Sequence, residues 1–138
     1  MPNGPILIPG SIGELCDRIT ILTIKAERIK DPERLRNVTH ELALLRAVEA
    51  TCAPLGEEAL KLARELQSIN ETLWAVEDAL RACEDRQDFG AEFIRLARSV
   101  YMTNDRRAAV KKRINILCGS QLIDEKSYGA GNGRRDEA

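Results

Sequence analysis

Apolar residues recur along this chain at steps of three and four, the spacing that lays them on one side of an α-helix. Ile12, Leu15, Ile19, Leu22, Ala26 and Ile29 form the first such stripe. It opens on Ser11-Ile12-Gly13-Glu14, a capping box in which the Ser11 side chain accepts from the Glu14 amide while Glu14 reaches back to the cap. Asp31-Pro32 ends this helix and starts a second, because Asp caps free amides and Pro is tolerated at the first helical position. The second helix carries Leu35, Val38, Leu42 and Leu45, and Ala53-Pro54-Leu55-Gly56 breaks the pattern after it. Ala59, Leu62, Leu66, Ile69, Leu73, Val76, Leu80 and Cys83 then predict a third helix over 57–86, roughly 45 Å long. Phe93, Leu96, Val100, Val110, Ile114 and Leu117 predict a fourth over 89–118, ended by Gly119. The third helix is too long for the first two to cover, so the fourth is its natural partner. The predicted fold is all-α: an antiparallel bundle of about four helices, with a long hairpin formed by helices 3 and 4.

Length and composition agree with that reading. At 138 residues the chain is one domain in size. Residues 1–128 read as a single helical domain, and the glycine-rich, then charged, segment 129–138 reads as a disordered tail. Charged residues at 31% against only 4% aromatic suit charge-laced helices rather than an aromatic-rich sheet. Two weaker elements flank the bundle. Ile6-Leu7-Ile8 reads as an extended arm packed on the helices, and Ser120 to Tyr128 as another arm or a short helical turn.

Net charge and cysteine usage narrow the classes of partner. A formal charge of −1 gives no global attraction to phosphate backbones or anionic lipid, which argues against a nucleic-acid partner. No apolar run approaches the ~20 residues of a membrane span, and the opening Met1-Pro2-Asn3-Gly4-Pro5 lacks the features of a signal peptide. The expectation is a cytoplasmic protein without a membrane partner. Cys16, Cys52, Cys83 and Cys118 are far apart with no Cys-x-x-Cys pair, so they read as four reduced, buried thiols rather than metal ligands. His40 falls on the polar side of the second helix without a Cys or second His to complete a metal set. No metal and no cofactor are expected.

Candidate chemistry gathers in the fourth helix, where Thr103 and Arg107 occupy seam positions that elsewhere demand apolar residues. A guanidinium near a core must be paired or hydrated, and places where local rules fail are often functional or strained. Tyr101, Asn104, Arg107 and Lys111 follow at steps of three, three and four, so their tips can converge on one anionic group. Counterparts come from the first helix. There Asp17 and Arg28 share a side with Ile21 and Ile24, and Glu14, Arg18 and Lys25 are neighbours. The candidate ligand-binding set is therefore Tyr101, Asn104, Arg107, Lys111, Arg18 and Asp17, with no catalytic residue.

Charge supplies a further expectation. The third helix is acidic through Glu57, Glu58, Glu65, Glu71, Glu77, Asp78 and Glu84, and the fourth is basic through Arg95, Arg98, Arg106, Arg107, Lys111, Lys112 and Arg113. Opposite signs favour adjacency through solvated pairs worth a few tenths of a kcal/mol each. Glu71, Glu77 and Asp78 resemble the acidic helices of magnesium-dependent nucleotide pyrophosphohydrolases only superficially, because no Glu-Glu-x-x-Glu segment is paired with a Glu-x-x-Asp segment at suitable spacing. A phosphate-binding glycine loop, a Gly-x-Ser-x-Gly elbow and a Cys/His nucleophile pair are missing too.

Two stretches carry a family resemblance. Gly10-Ser11-Ile12-Gly13-Glu14-Leu15-Cys16-Asp17-Arg18-Ile19-Thr20-Ile21-Leu22 and the segment from Phe89-Gly90 to Lys126-Ser127-Tyr128 resemble a bacterial domain-of-unknown-function family, number 6165. The most specific portion is Leu96-Ala97-Arg98-Ser99-Val100-Tyr101 followed by Thr103-Asn104-Asp105-Arg106-Arg107-Ala108, with Gly119-Ser120 and Glu125-Lys126-Ser127-Tyr128 beyond. The likeness spans nearly the whole chain. It implies a compact helical protein of bacteria and carries no activity, substrate or cofactor.

Two readings of function follow. The first is a non-enzymatic helical interaction or scaffold module, a homodimer in which self-association covers apolar positions outside one seam, such as Ile21, Ile24 and Trp74. A different protein partner is its fallback. The alternative is a small enzyme or sensor that binds an anionic metabolite between helices 1 and 4, by architectural analogy with all-helical chorismate mutases. In it Arg18, Arg107 and Lys111 bind charge, while Asn104 and Tyr101 orient the ligand. The two readings differ over Arg107: held against Asp17 or Glu14 in a scaffold, aimed into an unfilled cleft beside Lys111 in a site.

Overall fold

The computed structural model describes residues 3–126 and contains four helices: α1 (Ile12–Arg28), α2 (Pro32–Ala50), α3 (Glu57–Asp85) and α4 (Ala91–Leu117). No strand occurs among the described residues. Ser11 caps α1 by accepting from the Glu14 amide at 3.0 Å, and Asp31 caps α2 by accepting from the Arg34 amide at 2.9 Å, with Pro32 in the first turn. The long hairpin is present: α3 and α4 span 29 and 27 residues and pack closely along each other. Residues 129–138, expected to form a tail, lie outside the described residues.

Both hairpin helices end in the same way. After α3 the Asp88 amide donates to the Cys83 carbonyl and the Gln87 amide to that of Glu84, while Gln87 takes a left-handed φ of 55°. After α4 the Ser120 amide donates to the Asn115 carbonyl and the Gly119 amide to that of Ile116, with Gly119 at φ 64°. These are the paired bonds of a Schellman cap, which needs one left-handed residue. Gly119 fills that role without a Cβ penalty.

The four helices do not share one core equally. α1 lies against both α3 and α4, whereas α2 packs on α1 alone. Cys16, Leu66, Ile69, Leu73, Val110 and Ile114 form the buried centre between α1 and the hairpin. α1 is therefore buried on two sides. Gly13, Cys16, Asp17, Thr20 and Ile24 turn to the hairpin, while Ile19 and Leu22 are buried on the side left for α2. The apolar stripe read from sequence is mostly the α2 side, and the hairpin side is small and polar.

Several expectations change. Ile24 is fully buried, and Ile21 and Trp74 are half-buried, with the Arg28 guanidinium 6.0 Å from the Trp74 ring centre. Ile24 is covered within one chain, and Ile21 and Trp74 are covered in large part. The arm Ile6-Leu7-Ile8 does not pack on the bundle, its residues being 83%, 90% and 79% exposed. Cys52 is exposed and Cys118 half-buried, so only Cys16 and Cys83 are buried thiols. Among the described residues one ion pair joins α3 to α4, Arg113 with Glu58 at 3.0 Å. The hairpin is held by its apolar seam rather than by opposite charge.

Candidate functional site

Asp17 is the centre of a polar cluster between α1, α3 and α4, and its side chain is fully buried. Arg107 grips it with two donors: Nε reaches Oδ1 at 2.9 Å, and a terminal guanidinium nitrogen reaches Oδ2. Asn70 on α3 donates through Nδ2 to Asp17 Oδ1 at 2.9 Å and to Thr20 Oγ1 at 2.8 Å. The Thr20 hydroxyl donates in turn to the Asp17 backbone carbonyl at 2.7 Å. Lys111 Nζ lies 2.6 Å from Glu14 Oε2 and 3.6 Å from Asp17 Oδ2. Every buried side-chain nitrogen and oxygen among the described residues has a hydrogen-bond partner.

Burial pushes the Asp17 carboxyl up, but hydrogen bonds from Arg107 and Asn70 and the charges of Arg107 and Lys111 outweigh it, leaving the group below its usual value. Hydrogen bonds to Asp17, first of all, push the pKa of the Arg107 guanidinium up from its already high value. The pair is thus a fixed ion pair at neutral pH, with Lys111 and Glu14 beside it.

The close approach of α1 to α4 has a second fastening one turn away. A Cβ on Gly13 would lie 2.5 Å from the Lys111 carbonyl oxygen, so only glycine permits the crossing. Its amide donates to Asn115 Oδ1 at 2.6 Å, and the Ile12 amide donates to Ser120 Oγ at 3.3 Å. With Ser11 on Glu14, three first-turn amides of α1 are capped by side chains, two of them from the far end of the chain.

Of the sequence-derived set, Asp17, Asn104, Arg107 and Lys111 come together, Asn104 Oδ1 accepting from Arg107 at 3.4 Å. Tyr101 sits exposed on the rim, one of the residues lining a shallow groove of about 500 Å³ with Val100, Asn104, Asp105, Arg107, Ala108, Lys111 and Lys126. Arg18 is elsewhere, paired with Glu41 on α2 at 2.8 Å in an exposed bridge. Lys126 reaches the groove because residues after α4 turn back along it, with Lys112 on Glu125 at 3.0 Å.

Asn70, Thr20, Asn115 and Gly13 belong to the cluster and are not in the sequence-derived set. Asn70 and Asn115 flank seam residues Ile69 and Ile114, and a polar residue at the edge of an apolar stripe is the signal that would have found them.

A larger groove, about 700 Å³, opens at the pole where α1 and α3 begin and α2 and α4 end, lined by residues that include Leu15, Cys16, Cys52, Leu55, Leu60, Leu117 and Cys118. Burial, first of all, pushes the Cys16 thiol up to about 11, so it stays a neutral thiol. Among the described residues no group of three or more His, Cys, Asp or Glu is placed to hold a metal, and no helix is long and apolar enough to cross a membrane.

A family model of unknown function, DUF6165, matches residues 8–133, nearly the whole chain. The chain belongs to this family. Both the polar cluster and the larger groove of this DUF6165 chain fall inside the matched span. Comparison with curated proteins and with solved structures yields no match.

Proposed function

We propose that this DUF6165 chain is a non-enzymatic helical interaction module that self-associates through its apolar pole. One observation carries the reading: large apolar side chains left in water concentrate where the larger groove opens. Leu60 and Leu117 are exposed on its lining, and Ile6, Leu7, Ile8, Val48, Ile116, Leu122 and Ile123 are exposed on the segments that enter or leave it, against Leu44 on α2 and Phe89, Ile94, Tyr101 and Met102 along the rest of the hairpin. Exposed apolar side chains gathered toward one end of a bundle mark an association surface. The polar cluster favours the same reading, since Arg107 and Lys111 spend their charge on Asp17 and Glu14. We place the module in the cytoplasm, where its four free cysteines remain thiols. Light scattering at micromolar concentration tests it: a two-chain mass is expected, and a Leu60→Glu or Leu117→Glu variant should be shifted to one chain. A one-chain mass for the unaltered protein would refute self-association.

The smaller groove supports a second reading, a site for a small anion between α4 and the segment after it, because Tyr101, Asn104, Arg107, Lys111 and Lys126 all line it. Phosphate or a dicarboxylate at 100 times its dissociation constant would raise stability by about 2.7 kcal/mol. A thermal-shift screen in which none of these anions moves the midpoint, or in which Lys126→Ala keeps the full shift, would remove this reading.

A further inference from the structure

We propose that two copies of this chain pair by reciprocal exchange of their N-terminal arms, Ile6-Leu7-Ile8 of each seating in the groove that Leu15, Leu55, Leu60 and Leu117 help line on the other. The proposal rests on the self-association reading and adds to it the contact and its symmetry.

The arm carries the three most exposed large apolar residues among those described, and none of them lines the groove of its own chain. Such a run stays in water only at a cost that a partner can remove. Its form suits insertion. Pro5 and Pro9 bracket it, each fixing its own φ and holding the residue before it extended, so Ile8 is biased to the strand-like conformation before any contact forms. Ile8 therefore loses less conformational freedom on docking than an unrestricted residue would. An extended triplet spans roughly 10 Å and alternates its side chains, so Leu7, the most exposed of the three, enters the groove while Ile6 and Ile8 on the other side close over its rim. The groove offers aliphatic walls and about 700 Å³.

Position argues for a second copy over any other occupant. The arm runs into Ile12, itself a lining residue, so arm and groove share one pole of the molecule. A two-fold axis through that pole lets each chain give its arm and receive its partner's in a single closed contact. An unrelated partner would cover either the arm or the groove, whereas a second copy covers both. The arm's departure from α1 is also fixed, because side chains of Ser11, Asn115 and Ser120 hold the first-turn amides. From Asn3 to Gly13 the chain has no charged side chain, so nothing on the arm opposes the acidic rim of Glu49 and Glu57.

Sedimentation velocity of the full chain and of a Leu7→Asp variant, with helicity followed by circular dichroism, is the first arm of the test. Leu7 is in water in the single chain, so the variant should fold normally while its dimer dissociation constant rises about a hundredfold or more. A Leu7→Cys variant oxidised with copper phenanthroline is the second arm. The expected product is a two-chain species whose linked peptides join position 7 to Cys52 of the other copy. A dimer that survives Leu7→Asp, or a position 7 to Cys52 link found within one chain, would overturn arm exchange while leaving self-association standing. An unaltered protein that sediments as one chain at every concentration would overturn both.

Discussion

Arg107 and Asp17, separated by ninety residues, meet through two parallel N–H donors on a carboxylate that water does not reach. The consequence is an asymmetry of mutations. Removing one partner of a buried pair leaves the other charge uncompensated and costs about 3–5 kcal/mol, whereas replacing both with apolar residues of similar size is often close to neutral. Asp17→Ala should therefore lower the urea midpoint sharply, and Asp17→Leu with Arg107→Met should cost less than the two single changes added together. Strict additivity in that cycle, measured at one protein concentration, would show the two residues to be uncoupled.

The same pair sets an acid limb. Because the Asp17 pKa is depressed in the folded chain, the unfolded chain binds more protons between the folded value and the ordinary one near 3.9. The stability it contributes is complete above that ordinary value and is lost as pH falls through the folded one. Unfolding free energy should decline below about pH 4, and Asp17→Asn should remove part of that slope. An identical slope in Asp17→Asn would exclude Asp17 as a source.

Gly13→Ala should destabilise even though alanine is the better helix former by about 1 kcal/mol. The added carbon would meet the Lys111 carbonyl oxygen at 2.5 Å and Asn115 Oδ1 at 2.9 Å, both held by hydrogen bonds or backbone, so α1 must move off α4. Overpacking of this kind costs about 1–3 kcal/mol. A thermal midpoint raised by Gly13→Ala would contradict the close crossing.

Legibility in the sequence follows the same division. The hairpin could be read because Leu66, Ile69, Leu73 and Ile114 repeat at helical spacing, and the caps because Ser11, Asp31 and Gly119 have chemistry particular to helix ends. Arg107 stood out as a cation on an apolar seam. Its counterpart was legible too, because helical spacing offers Asp17 and Glu14 of α1, and Asp17 is the group that meets it, whereas counting charges on α3 and α4 says nothing of register and overstates their pairing. The rest of the hairpin-facing side of α1 was hidden: Gly13 and Thr20 are small or polar, and an apolar period cannot weigh them. Ile6-Leu7-Ile8 announced a need for cover without saying whose surface would supply it.

Thiol reactivity should sort the cysteines by environment. In dilute protein Cys52 is exposed and should be alkylated first by iodoacetamide at pH 8, whereas Cys16, buried with its pKa up to about 11, and buried Cys83 should react only on unfolding. Mass spectrometry of timed samples gives the order, and early labelling of Cys16 would contradict its burial.

The central claim is that the apolar pole joins one chain to another, and small-angle X-ray scattering over a concentration series tests it most directly. The mass should rise to two chains, with a maximum dimension well beyond the roughly 43 Å of one α3 helix as molecules join pole to pole. A mass fixed at one chain throughout the series, or a dimer joined side by side along the hairpins, would contradict it.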